Sequence, residues 1–399
     1  MQLKSLINRW NIIVLAIFIC ALAIRLFLAV AIENTPDFSD MQDYNELAVE
    51  GGFNTYLPPF YPLFLRLIYS IFGTYNYTAV FIAQSIISSL IIILVYDIVR
   101  RISNNLAGVI AALICSVYPN LIIYNLTTMT ESLSLFIVVF LLWLMLIEFN
   151  ATYKALALAA VLVAGSLIKS SIIFFLPGTL FFTKKRKLLV LFFIILISPW
   201  IIRNVVMHDK LAPVSDTGAL NFYATYNPAA TGSRHTNAED TPLKTYDHKQ
   251  MTYVKEALKF IIHNKRQTMD ITYNKLSILV SRGFDSYVLD DIVGDNENWK
   301  NLLIYGYIPI SILGIIGLIR LYDKENRFIA VLMFSYLILS IFLAIFKYRY
   351  RVLVEPMLII YASMLIAGII KSFSIENSKA QLSKGWENIQ TRFSMKQKA

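Results

Sequence analysis

The stretch SDMQDY, residues 39–44, follows directly after the first long apolar segment of the chain. No basic residue occurs between Arg25 and Arg66. The chain has a net charge of +10, yet it concentrates acid beside one end of a predicted membrane span, and we expect chemistry at this place. Six carboxylates lie close together there, namely Glu33, Asp37, Asp40, Asp43, Glu46 and Glu50.

The composition is that of a protein with many membrane spans. Of the 399 residues, 57% are hydrophobic and only 16% are charged, and the mean hydropathy is +0.59. The excess of Lys and Arg is typical of cytoplasmic loops, so nucleic-acid binding is not favoured. Cys20 and Cys115 fall inside apolar runs and are expected to be packing residues without a disulfide.

About ten apolar segments predict an all-α polytopic membrane protein, because a helix needs roughly 20 apolar residues to cross the hydrocarbon core. Lys4 and Arg9 place the first segment's start in the cytoplasm, and the basic run at 184–187 marks the same side. Both termini are therefore expected in the cytoplasm. The predicted spans are about 11–32, 77–99, 106–118, 133–147, 155–168, 171–182, 188–206, 302–321, 328–346 and 352–370.

The expected organisation has four parts. Residues 1–206 form a transmembrane core with a catalytic first outer loop at 33–76, 207–300 a soluble extracytoplasmic loop domain, 301–371 further transmembrane helices, and 372–399 a basic cytoplasmic tail. Within the outer loop, 40–50 predicts a short amphipathic helix closed by two glycines, and 63–72 a helix in the membrane interface. Helices are also predicted at 252–262 and 269–280. The four histidines, at 208, 235, 248 and 263, have spacings that match no zinc motif.

Several cations contradict the positive-inside pattern. The predicted topology places four of them at the outer face, where they suit an anionic ligand such as a lipid phosphate or pair structurally with the acids. Arg25, within the first span, either snorkels to the interface, pairs with the acid cluster or contacts a lipid phosphate. The four outer cations are Arg203, Lys347, Arg349 and Arg351.

These parts suit the transfer of a sugar from a lipid-linked phosphate. Asp40 or Asp43 is a candidate general base, and the outer cations are candidate donors to the leaving phosphate. Asp40 could instead be a loop acid or a helix cap. Glu131 is a second candidate acid, although a carboxylate at a helix start is also favoured by the helix dipole. No cofactor is expected; a divalent cation held by these three acids is an option that their spacing does not favour.

The chain resembles the bacterial GT-C fold glycosyltransferases of the protein-O-mannosyltransferase and lipid A aminoarabinose transferase type. The likeness extends from about residue 20 to 360. The stretches that carry it are FSDMQDYNELA at 38–48, YLPPFYPLFLRL at 56–67, TESLSLF at 130–136, SPWIIRN at 198–204, PVSDTGALNFYATYNPAATG at 213–232 and KYRYRVLVEP at 347–356.

The resemblance implies inverting transfer from a polyprenyl-phosphate sugar to a lipid, glycan or protein acceptor at the outer face of the bacterial inner membrane, in cell-envelope modification such as that of lipopolysaccharide. Asp40 takes the catalytic Asp position and Glu131 the second acidic position, while Arg203 and Arg349 match cations near the donor phosphate. An O-antigen polymerase or ligase, or a transporter, is the alternative. The matching stretches also supply candidates for the loop and acceptor side, namely Tyr44, Tyr56, Asn221 and Asn227.

Overall fold

The computed structural model describes residues 9–32, 40–208, 212–230, 250–280, 301, 305–343 and 348–373, and every regular element within these ranges is helical. This confirms the predicted all-α class. The α-helices, in chain order, are α1 (Arg9–Ala31), α2 (Asp40–Glu50), α3 (Phe60–Phe72), α4 (Tyr77–Ile102), α5 (Asn105–Val117), α6 (Pro119–Ile123), α7 (Glu131–Leu146), α8 (Ala151–Ile168), α9 (Leu176–Phe182), α10 (Arg186–His208), α11 (Thr217–Thr225), α12 (Gln250–His263), α13 (Lys265–Val280), α14 (Tyr307–Leu321), α15 (Arg327–Leu343) and α16 (Arg349–Phe373).

Five of these helices, α1, α4, α8, α10 and α16, are long and apolar enough to cross a membrane. Helix α5 and the segment Pro119–Leu126 make a pair bent by 57°, which counts as a sixth span if it is taken as one. Shorter apolar helices are α3, α7, α14, α15 and the segment Ser170–Phe182. Among the described residues, length and composition thus identify five or six spans, and the count of about ten stays a prediction.

The bundle packs around α4, which contacts α1, α5 and α7. Helices in lipid associate mainly by close packing, so small residues mark their contacts. Gly108 of α5 is one example, because a Cβ there would lie 2.8 Å from the ring of Tyr96 in α4. A Cβ at Gly314 or Gly317 of α14 would likewise lie too close to the backbone of α16. These glycines allow helix axes to approach closely where a larger residue would separate them.

Helix α2 begins at Asp40 and ends at Glu50, as predicted. Gly51 follows with φ +77°, a left-handed conformation that glycine adopts without strain, and so turns the chain back. The buried face of α2 packs against α3, and Asn45 accepts a hydrogen bond from Tyr69 at 2.6 Å. Asn45 also donates to Thr128 at 3.1 Å. These contacts fix the first residue of α2 beside the start of α7.

Helices α11, α12 and α13 form a small cluster of their own. The predicted helices at 252–262 and 269–280 are confirmed, with α12 and α13 each beginning a few residues earlier. Aromatic side chains make its core, for example Tyr223 against Tyr253 with ring centroids 5.7 Å apart. The domain boundaries at 207 and 300 stay predictions.

Candidate active site

A cavity of about 380 Å³ lies where the start of α2, the end of α8 and the start of α16 meet. We call it the Asp40 cavity. Its size suits a small polar ligand, and its wall is half polar and half apolar. The lining residues with polar side chains are Asp40, Tyr44, Tyr56, Thr130, Lys169, Ser170, Ser171, Ser215, Thr217, Asn221, Arg349 and Tyr350, and the apolar ones include Leu57, Pro58, Ile173, Phe174, Pro213, Val214 and Leu343.

An ion pair between Asp40 and Arg349, which are far apart in the sequence, lies at this cavity. The Arg349 Nη2 and Asp40 Oδ2 atoms are 2.5 Å apart, and the two side chains are 20% and 26% exposed. The Nε atom of Arg349 is buried and has no hydrogen-bond partner among the described residues. Arg349 therefore pairs with Asp40 through one N–H group, while its buried Nε has no acceptor among the described residues.

A second ion pair lies behind the first. Lys169 Nζ is 2.6 Å from Glu131 Oε1, with the two side chains 10% and 1% exposed. Lys169 also lies 3.4 Å from the Thr130 hydroxyl and 5.3 Å from the centre of the Tyr350 ring. Lys169 lines the cavity, whereas Glu131 does not. Glu131 is therefore behind the cavity wall, where it pairs with Lys169, and Lys169 faces the cavity.

Asp43 lies one helical turn after Asp40 but does not line the cavity. Partial desolvation, and then repulsion from the carboxylates of Asp40 and Glu46, raises the pKa of Asp43. The structure thus separates the two candidate bases. Asp40 faces the cavity and pairs with a cation, while Asp43 belongs to the acidic outer surface of α2.

Three of the four predicted acceptor-side residues line the cavity, and the fourth does not. Tyr44, Tyr56 and Asn221 all line the cavity. Burial, and then the nearby Asp40 carboxylate, raises the pKa of Tyr44 well above its ordinary value, so its hydroxyl stays protonated and can donate a hydrogen bond. Asn227 is buried elsewhere, where its amide donates to two carbonyl oxygens at the end of α11, both at 3.0 Å.

Arg203 does not line the Asp40 cavity. Its guanidinium lies against a pair of aromatic rings, 5.0 Å from the centre of Trp200 and 5.7 Å from that of Phe53. It donates to the Phe53 carbonyl oxygen and, at 2.9 Å, to Asn204 Oδ1. Trp200 in turn donates to the carbonyl of Val214, which lines the cavity, at 2.9 Å. Arg203 thus holds the loops that form one wall.

The other candidate cations are also outside the cavity or outside the described residues. Arg351 is fully buried, 3.2 Å from Glu355 and with its guanidinium 3.5 Å from the centre of the Tyr307 ring. Arg25 is buried against the end of α5, where it donates to backbone carbonyl oxygens at 3.0–3.2 Å. Within the described ranges no carboxylate pairs with Arg25. Lys347 lies outside the described residues, as do Glu33 and Asp37 of the acid cluster.

The three candidate acids do not form a metal-ligand set. Asp40 and Glu131 each pair with a cation, and Asp43 faces away from the cavity. Within the part of the chain that the structure describes, no group of three His, Cys, Asp or Glu side chains could hold a metal ion. The site that these residues do form consists of alternating acidic and basic groups.

Sequence reasoning missed Lys169 as a site residue. The available signal was a single Lys between two apolar runs, where a charge is costly and usually has a function. The chain leaves helical conformation at Lys169, which ends α8 and precedes a short 3₁₀ helix at Ser170–Phe175. That break turns the side chain toward the cavity instead of along the helix surface.

The fold and cavity define a helical membrane protein with a polar, charge-paired site at one end of its bundle. Residues 57–202 match the model of the dolichyl-phosphate-mannose-protein mannosyltransferase family. The resemblance to GT-C glycosyltransferases is thereby confirmed over this part of the chain, which contains Glu131 and Lys169 but neither Asp40 nor Arg349. No curated protein sequence matches the chain.

Two crystal structures of the oligosaccharyltransferase of Archaeoglobus fulgidus are also similar. One is tethered to an acceptor peptide with the NVT sequon by a disulfide bond; it is 12% identical, with a TM-score of 0.48 over 93% of this chain and 51% of that one. The other is a complex with Zn and sulfate, 13% identical, with a TM-score of 0.47 over 92% and 50%. The chain thus spans about half the length of these structures.

Proposed function

We propose that the chain is an inverting glycosyltransferase that moves a sugar from a polyprenyl-phosphate donor to a lipid, glycan or protein acceptor. The observation that carries this proposal is the Asp40–Arg349 ion pair, with its 2.5 Å contact, in a cavity that Lys169 also lines. A base and two phosphate-binding cations are the groups that such a transfer requires. The family match over 57–202 supports the reaction class.

Arg349 and Lys169 are the proposed partners of the donor phosphate. Both cations already have a carboxylate partner, so these four groups together carry little net charge. An incoming phosphate competes with Asp40 for the Nη2 atom of Arg349. In the transition state the leaving phosphate gains negative charge, which these cations stabilise more strongly than they stabilise the ground state.

Asp40 is the proposed general base. The acceptor hydroxyl gives its proton to the Asp40 carboxylate while its oxygen forms a bond to the anomeric carbon of the donor. The bond from that carbon to the phosphate oxygen breaks, and its electron pair leaves with the phosphate. A single displacement of this kind inverts the anomeric configuration. Binding of the phosphate to Arg349 releases the carboxylate for this role, so donor binding and base activation are coupled.

The apolar surroundings suit the donor's lipid. Phe174 and Leu343 line the cavity wall, so a polyprenyl chain can leave the site toward the membrane. Helix α3, at the same end of the bundle, exposes large apolar side chains on one face, as an interfacial helix does. Those side chains are Leu63, Leu67, Ile71 and Phe72. Tyr44, Tyr56 and Asn221 offer hydroxyl and amide groups for the acceptor.

The proposed setting is the bacterial inner membrane, with both termini in the cytoplasm and the Asp40 cavity at the outer face. Ser215 lines that cavity. A Ser215→Cys variant in intact cells should therefore react with a membrane-impermeant maleimide, after Cys20 and Cys115 have been replaced. Protection of the introduced thiol until the cells are lysed would reverse the proposed orientation.

The proposed activity is tested with the purified full chain in lipid nanodiscs. Undecaprenyl-phosphate carrying mannose, glucose or aminoarabinose is supplied as donor with membrane-extract glycolipid and protein as acceptors. Asp40→Asn should lower transfer by about 10²- to 10⁴-fold, the usual contribution of a general base. Glu46→Gln is the matched control, because Glu46 is an exposed acid of the same helix outside the cavity. Absence of transfer from every donor by the unsubstituted protein would contradict the proposal.

A further inference from the structure

A second cavity, of about 420 Å³, lies at the opposite end of the bundle. Helices α7, α8 and α15 each run from the Asp40 cavity to this second one. The 18 residues of α8 span about 27 Å at 1.5 Å per residue. This is close to the ~30 Å hydrocarbon core, so the two cavities lie at opposite membrane faces. At or next to the ends of these helices, the residues that line the Asp40 cavity are Thr130, Lys169 and Leu343. The corresponding residues that line the second cavity are Leu146, Ala151 and Arg327.

This second cavity, which we call the basic cavity, gathers cations from three separate parts of the chain. Two carboxylates also line it, Glu148 and Glu325, so its formal charge is four cations minus two acids, or +2. Within the described residues no ion pair within 4 Å joins these cations to any carboxylate. The four cations are Lys154 on α8, Lys184 before α10, and Lys324 and Arg327 at the turn before α15.

The basic residues at the end of α4 differ from those of the basic cavity, because they form ion pairs. Arg100 and Arg101 both form an ion pair with Asp97, with N–O distances of 2.5 and 2.7 Å. Basic residues that serve only to orient a membrane protein can be paired in this way and need not share a cavity. By contrast, no ion pair within 4 Å is found for the four cations of the basic cavity among the described residues, and they outnumber its two carboxylates. This arrangement leaves positive charge available to a ligand.

The side-chain charge and the apolar wall suit an amphipathic anionic ligand. Helix ends of both signs meet at this cavity, because α8 and α15 begin at lining residues whereas α7 and α9 end at them, so its net positive charge comes from the side chains. Lys154 donates to the carbonyl oxygens of Met145 and Ile147, both at 2.7 Å. The apolar part of the wall, suited to a glycerol backbone and upper acyl chains, comprises Leu146, Phe149, Leu158, Phe182 and Phe328.

We propose that the basic cavity binds the phosphate of an anionic lipid head group, at the membrane face opposite the Asp40 cavity. Basic pockets between transmembrane helices are suited to such head groups, because the phosphate meets the cations while the chains stay in the bilayer. This site is separate from the proposed transfer reaction and does not depend on it.

The test measures lipid binding to the purified full chain in detergent by native mass spectrometry. The probes are dioleoylphosphatidylglycerol and dioleoylphosphatidylcholine, and millimolar inorganic phosphate is added as a competitor. The cavity variant is Lys184→Ala with Lys324→Ala. The control variant is Lys187→Ala with Arg320→Ala, which removes the same charge from exposed residues that do not line the cavity. All four substitutions are at exposed sites, and gel filtration confirms that each protein is folded.

Phosphatidylglycerol should bind more tightly than phosphatidylcholine. The cavity variant should weaken phosphatidylglycerol binding by roughly 30-fold, from the usual effect of two cations near an anionic head group, and the control should change it by less than about 3-fold. Equal weakening in both variants, or equal binding of the two lipids, would overturn the proposal. If inorganic phosphate displaces phosphatidylglycerol and itself binds at least as tightly as the lipid, the site binds a free anion instead of a lipid, and the proposal is wrong.

Discussion

Glu131→Gln and Asp40→Asn make the same chemical change at two neighbouring ion pairs, and we expect losses of stability of very different size. The Glu131–Lys169 pair is almost fully buried, with its side chains 1% and 10% exposed. Removal of one partner from such a pair leaves an uncompensated buried charge and costs about 3–5 kcal/mol. The Asp40–Arg349 pair is 26% and 20% exposed, so water screens Arg349 and Asp40→Asn should cost only about 1 kcal/mol.

The assay is reversible unfolding of the purified protein in mixed detergent micelles, followed by circular dichroism as the denaturing detergent fraction rises. Glu131→Gln should shift the midpoint strongly and Asp40→Asn slightly. The double variant Glu131→Gln with Lys169→Met should recover most of the lost stability, because it removes the buried charge itself. A Glu131→Gln protein as stable as Asp40→Asn, or a double variant no more stable than Glu131→Gln, would refute this account of the pair.

Two further substitutions test the site and the cluster of α11, α12 and α13. Arg349→Lys keeps the charge but loses the planar guanidinium, so the donor KM should rise about tenfold; an unchanged KM in a donor titration would contradict the phosphate role. Burial lowers the pKa of Lys275 to about 7. Between pH 7 and its ordinary pKa the unfolded chain binds more protons, so stability should rise with pH by at most ~1.4 kcal/mol per unit. Lys275→Met should flatten this slope in unfolding measured from pH 6 to 9.

Local features of the fold were predictable from the sequence. The bounds of α2 follow from its amphipathic spacing and from the two glycines after Glu50, and the structure has the same bounds. Helix α7 begins at Glu131, where the sequence changes from polar to apolar. Such signals lie within a few residues of the element that they define, so a single sequence contains them.

The pairing of charges was less predictable, because it depends on contacts between distant parts of the chain. Asp40 and Arg349 are more than 300 positions apart, and only the tertiary fold brings their side chains together. Arg351, two residues later, turns into the protein and pairs with Glu355. Residue type and membrane side could not separate these two arginines, since the direction of each side chain is set by the local helix geometry.

The role of Asp40 is tested most directly by two rates and two affinities measured together. Transfer at saturating donor and equilibrium binding of the same polyprenyl-phosphate sugar are compared between the unsubstituted protein and Asp40→Asn. We predict a fall in turnover of about 10²- to 10⁴-fold, with donor affinity kept or increased because Arg349 loses its competing carboxylate. Turnover within about twofold of the unsubstituted protein, or loss of donor binding, would contradict the assignment of Asp40 as the base.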